Sequence, residues 1–144
     1  MARGENPGAL LSVDVVTSGN NALTYDKDQP YGHANAGKDL VLSLITSGNN
    51  AGKAQIGADN AKILGKFMEL HPDGTASYMP SAMPMLLRKS SAAVRPGSGL
   101  LCAGSGKVKS EPSTATAESA TNARGQVTEI QETGDNGRIL ALMP

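Results

Sequence analysis

The chain is short of the residues that usually build a core and of those that usually do chemistry. It has no tryptophan, one phenylalanine, three tyrosines and one cysteine among 144 residues. Large aromatics supply much of the buried area of an ordinary domain. With only Tyr25, Tyr31, Phe67 and Tyr78, the core must come from Leu, Val, Ile, Ala and Met. A lone Cys102 excludes an intrachain disulfide and an all-cysteine metal site. Lys plus Arg and Asp plus Glu are both 13, so the formal charge is zero. That removes the basic footprint of a protein held by nucleic-acid phosphates, and no basic patch carries interleaved aromatics. No window approaches the ~20 apolar residues of a membrane span. The first seven residues lack the apolar centre of a signal peptide, so synthesis in the cytoplasm and no membrane partner are expected.

What the chain has in quantity is turn chemistry, including 17 glycines. Residues 13–22 echo residues 42–51: an apolar run leads into an identical segment, 17–22 in one copy and 46–51 in the other. This reads as two related strand-and-turn units, with pairing in one sheet as one option. A common turn solution reached twice is the alternative. Pro72-Asp73-Gly74 marks a hairpin between residues 67–70 and 75–79. Asn136-Gly137 suits the positive φ angles of a type I′ turn and predicts a closing hairpin over 126–143. Residues 94–108 read as turn, strand, turn, strand. Ile63, Leu64, Phe67 and Met68 fall at helical spacing, but Gly65 and the hairpin signal after them favour a strand.

The expected fold is therefore all-β, a small β-barrel or β-sandwich. It would have an extended, flexible N-terminal arm over 1–9 and a single β domain over 10–144. Residues 110–125 hold no large apolar side chain and are expected as a long polar loop. A lean core of this kind gains burial by oligomerising or by docking on a larger surface.

Catalytic and metal motifs fail at named residues. His33 and His71 belong to no zinc-binding spacing. Cys102 lies in the apolar run 100–103 and reads as a small buried residue. Gly104-Ser105-Gly106-Lys107 lacks the first phosphate-loop glycine, where Leu101 stands, and the hydroxyl after the lysine, where Val108 stands. Asp26 and Asp28 begin a calcium-like pattern, but Pro30 occupies the third ligand position. Glu129 and Glu132 beside the last turn read as a solvent face. No catalytic residue, cofactor or metal is expected. The contact candidates are Ala2, Arg3 and Glu5 in the arm, and Met79, Met83 and Met85, whose adaptable side chains suit either core packing or a subunit contact.

Several segments resemble tailed-bacteriophage head decoration (cement) proteins. Gly37-Lys38-Asp39-Leu40-Val41-Leu42 resembles an opening β unit of that family, and residues 63–67 followed by Asp73-Gly74 resemble a strand pair. Residues 94–108 resemble its glycine-turn pair, and residues 123–142 are similar to its closing hairpin. The resemblance covers about residues 37–144. It implies a small, often trimeric β protein on the outer surface of an expanded capsid, with no active site. The implied partner is the major capsid protein, whose neighbouring subunits it bridges. The rival readings are a ligand- or receptor-binding β module of a virion appendage and, third, an enzyme with a histidine-centred site that only folding would assemble.

Overall fold

The structure is a computed structural model and describes residues 4–144. Among these the fold is all-β, with strands β1 (Leu11–Asp14), β2 (Val41–Leu44), β3 (Ala54–Ile56), β4 (Gly65–Leu70) and β5 (Thr75–Met79) in the first half. The second half holds β6 (Ala82–Arg88), β7 (Leu100–Cys102), β8 (Val108–Ser110), β9 (Gln126–Ile130) and β10 (Arg138–Met143). A short helix, α1 (Ala117–Asn122), lies between β8 and β9.

Three antiparallel sheets form: β1-β5-β4-β2-β3, β6-β10-β9 and β7-β8. The two ends of the five-stranded sheet meet at a single parallel bridge, Val15 to Ala54, with Val16 N donating to Ala54 O at 3.0 Å. Two buried clusters result. One, inside the five-stranded sheet, is centred on Phe67, Leu42, Leu40, Leu23 and Leu70. The other gathers Met85, Leu87, Leu100, Ile139 and Met143 from the later strands. Val41 belongs to the later cluster and its neighbour Leu42 to the earlier one, so β2 is buried on both faces. That is why β2 and the residues around it read as an apolar run rather than an alternation.

The strand expected at residues 63–70 forms from Gly65 onward, and its helix-like spacing has a physical cause. A β-bulge shifts the β4–β5 register between Phe67 and Glu69. The extra residue lets Phe67 and Leu70 enter the same cluster although they are three apart. Gly65 is required by close packing: a Cβ there would lie 2.7 Å from Met79 O.

The repeated segments occupy equivalent places. Leu23 N donates to Val16 O and Gly52 N to Ile45 O, each at 2.8 Å, so both copies are closed by the equivalent bond, although Asn21 has positive φ and Asn50 does not. Gly19 and Gly48 both have positive φ, 89° and 81°. β1 and β2 share a sheet without pairing, because β5 and β4 lie between them.

Two local expectations are corrected. The polar segment 110–125 contains α1, nucleated by a reciprocal cap: Thr116 Oγ1 accepts from Ser119 N at 3.0 Å, and Thr116 N donates to Ser119 Oγ at 2.8 Å. The closing hairpin forms, but its connection is wider than a type I′ turn. Ile130 pairs with Ile139, and of Asn136-Gly137 only Asn136 has positive φ. Buried Lys89 holds this loop, its Nζ donating to Gly134 O at 2.9 Å and its carbonyl accepting from Asn136 N at 3.0 Å.

Candidate docking surface

β1 is an edge strand with an exposed apolar start. Its register with β5 pairs Leu11 with Tyr78 and Val13 with Ala76, and the ladder continues as Val15 N donates to Gly74 O at 3.0 Å. Bonded and non-bonded pairs alternate along an antiparallel ladder. Leu11 and Val13 therefore aim their backbone groups at β5, and Ser12 and Asp14 aim theirs outward. Short of the Val15–Ala54 bridge at its far end, no described strand pairs with that outer edge. Leu10 and Leu11 stand 54 % and 51 % exposed beside it. An edge of this kind is a template for an added strand.

Residues 4–9, expected as part of a loose arm, run along β6 and the β5–β6 connection. Asn6 N donates to Pro84 O at 3.0 Å, Asn6 Nδ2 to Met83 O at 3.3 Å, and Gly8 N to Met79 Sδ at 3.1 Å. Gly8 packs so closely that a Cβ would collide with the Ser81 carbonyl. Glu5 Oε2 accepts from Leu86 N at 2.7 Å and pairs with Lys66 Nζ at 2.6 Å. The segment thus delivers Leu10 and Leu11 to the edge.

Of the six contact candidates, Ala2 and Arg3 lie outside the described residues, and Glu5 turns inward. Met79 and Met85 are core residues of the later cluster and are not available as contacts in the single chain. Both share that cluster with Ile139 and Leu87. Met83 alone of the three methionines is a surface residue, 50 % exposed at the start of β6. Sequence reasoning missed Leu10 and Leu11. The signal available was an apolar pair directly after a glycine- and proline-containing segment.

The residues weighed for chemistry are otherwise engaged. Burial pushes the Cys102 thiol up to about 12, with Asp59 adding to the rise and Lys109 opposing it, so no thiolate is available near neutrality. Gly104–Lys107 is the β7–β8 turn: Gly106 N donates to Gly57 O at 3.2 Å and Lys107 N to Gly104 O at 3.1 Å, leaving those amides spent. Asp26 Oδ1 accepts from Asp28 N at 2.9 Å within its own loop. Among the described residues no group of three His, Cys, Asp or Glu side chains is placed to hold a metal ion. His33 packs its ring on Phe67 at 5.7 Å, and burial lowers its pKa against the weaker opposing pull of Asp26.

Folding does assemble one histidine-centred group. His71 Nε2 lies 2.7 Å from Ser77 Oγ, and His71 Nδ1 lies 3.4 Å from Glu69 Oε1. A serine–histidine–carboxylate order is that of an activated nucleophile. Here it spans two neighbouring strands and their turn on a sheet surface, where Glu69 and Ser77 are cross-strand partners. Acyl transfer also needs a cavity to hold substrate. A cavity of about 470 Å³ is lined by Leu44, Ile63, Leu64, Asn122 and Arg124 and by none of the three. Another, of about 230 Å³, lies at α1, beside Asn60 and Leu101. An activated acyl ester or a fluorophosphonate is accordingly expected to label wild type no faster than Ser77→Ala. Faster labelling of wild type, mapped to Ser77, would give the surface group a catalytic role.

Arg124, in the lining of the 470 Å³ cavity, is structural. Its Nη1 donates to Ile63 O at 3.2 Å and Leu64 O at 3.1 Å, and its Nη2 to Pro144 O at 3.0 Å and to Pro80 O. Burial lowers its pKa. With its donors committed to the backbone, it is not a free anion site.

No family model matches the chain, and no curated protein matches it. No described helix is long and apolar enough to cross a membrane.

Proposed function

We propose that this chain is a structural virion protein that binds the outer surface of a phage capsid and stabilises it by bridging neighbouring major capsid subunits. The observation that supports it best is the open β1 edge, flanked by exposed Leu10 and Leu11. Strand addition to such an edge draws affinity from main-chain hydrogen bonds and specificity from the side chains beside them. Exposed Met83 supplies an adaptable apolar contact at the other end of the 4–9 segment. Zero net charge leaves little repulsion between copies crowded on a shell. Weak contacts repeated over a lattice, or through a trimer, add by multivalency.

The test exploits the direction of the β1 backbone. Ser12→Pro removes an outward N–H and leaves the β5 ladder intact, which an edge strand tolerates. In co-sedimentation with expanded shells of the major capsid protein from the same genome, Ser12→Pro is expected to bind about tenfold more weakly, the ~1.4 kcal/mol of a lost interfacial hydrogen bond. Leu10→Asp with Leu11→Asp is expected to abolish binding, with thermal unfolding unchanged. Full occupancy by both variants would remove the edge from the interface.

A further inference from the structure

Lys66 is 4 % exposed, on the face of β4 turned toward the later core cluster. Its ladder neighbours are Val41 on β2 and Met79 on β5, both buried members of that cluster. Its Nζ sits 2.6 Å from Glu5 Oε2 and 2.8 Å from Asp39 Oδ1. Arg88 Nε stands 4.0 Å from the other Asp39 oxygen, so two cations and two carboxylates close a neutral set. A single ion pair would need only one carboxylate. Asp39 also holds a left-handed backbone, φ 64°, uncommon for a residue with a side chain. Strain of that kind persists where the surroundings fix a residue in place.

From this geometry we infer that Lys66 and Asp39 are joined by an isopeptide bond, with Glu5 as the proton carrier. Fixed at 2.6 and 2.8 Å from the two carboxylates, the Lys66 Nζ has one of them to take its proton and the other to attack. Glu5 takes a proton from the Lys66 ammonium and passes it to the Asp39 carboxyl. The freed Nζ lone pair forms a bond to Asp39 Cγ. The oxygen charge that develops lies near the Arg88 guanidinium, whose Nε is 4.0 Å from Asp39 Oδ2 and donates to Lys38 O. Glu5 then takes a second proton from the nitrogen and delivers it to the departing oxygen. The Cγ–O bond breaks, one water leaves, one hydrogen stays on the amide nitrogen, and Glu5 ends as the carboxylate it began as. No oxidant, metal or cofactor enters the balance. Condensation that is unfavourable between free groups in water is favoured here by fixed proximity and by removal of a buried charge pair. The bond would tie β4 to the segment before β2 and is independent of what the outer surface binds.

Mass spectrometry of the purified, denatured chain tests it directly. Wild type is expected to be one water lighter than its sequence. Trypsin should fail to cut after Lys66 and should release a branched peptide joining residues 39–53 to 63–88. Glu5→Gln keeps an acceptor for Leu86 N but carries no proton, and should slow or abolish the loss. Asp39→Asn, where it condenses, should lose ammonia in place of water. A wild-type peptide map with unlinked 39–53 overturns the inference whether or not any variant folds. So does a water loss that persists in Lys66→Met, since that places the dehydration in an aspartate succinimide.

Discussion

Phe67→Ala is expected to lower the unfolding free energy by about 3–5 kcal/mol, the range for emptying a fully buried phenylalanine site. Phe67 is the sole phenylalanine and is fully buried in the cluster inside the five-stranded sheet. The same cluster includes Ala36, Ala54 and Ala76, side chains too short to collapse into the space left behind. It also supports the His33 ring. A small domain has only about 5–15 kcal/mol in total, so this variant should sit near its unfolding threshold at 37 °C. Urea denaturation checks it: the midpoint should fall with the m-value unchanged, and Phe67→Leu, which keeps most of the volume, should lose less. A loss below about 1 kcal/mol for the alanine variant would mean that the cluster relaxes freely and is not close-packed.

Arg124→Ala is expected to cost about 3 kcal/mol, from charge-assisted bonds worth ~1.5–3 kcal/mol each, less the gain from rehydrating the freed carbonyls. The guanidinium ties together the lead-in to β4, the β5–β6 connection and the chain after β10. It joins the lead-in to β4 to the start of β6 and the end of β10, which lie at the same end of the β6-β10-β9 sheet. Arg124→Met separates packing from bonding, because it fills much of the space and offers no donor. It should remain destabilised by most of the same amount. Arg124→Lys should rescue only part, since one ammonium cannot span carbonyls that the planar fork reaches in two directions. Thermal unfolding followed by circular dichroism reads all three. Full rescue by lysine would make the charge, rather than the fork, the structural element.

Much of this fold is legible in the sequence because its turns are chemically explicit. Pro72-Asp73-Gly74 forms the β4–β5 turn, with the Asp73 carboxylate accepting from Thr75 N at 3.0 Å. That bond, with the one from the Thr75 hydroxyl, holds the carboxyl below its ordinary range. The repeated segments at 17–22 and 46–51 are each closed by the equivalent backbone bond. The harder parts have tertiary causes. The spacing of Ile63 to Met68 imitates a helix because a bulge, set by the partner strand, interrupts the alternation. Helix α1 escapes a hydrophobicity reading because its cap, not an apolar face, defines it: Thr116 and Ser119 bond reciprocally. The width of the last loop follows from Lys89, a residue distant in sequence.

The candidate surface was less legible than the fold. Met79, Met83 and Met85 look equivalent in sequence, and only the register of β5 and β6 separates two core residues from one surface residue. Glu5 is apparent as a charge near the start of the chain, but its direction depends on Lys66, sixty-one positions away. The Glu69–His71–Ser77 group needs the hairpin to bring its members together, and no spacing motif announces it.

The most direct test of the proposed role is cryo-electron microscopy of expanded shells, built from the major capsid protein of the same genome, after incubation with this chain. Ordered density is expected on the outer surface, at junctions between neighbouring subunits, with β1 against the shell and Leu10, Leu11 and Met83 buried. Shells left bare at saturating protein, or density that leaves the β1 edge facing solvent, would contradict it.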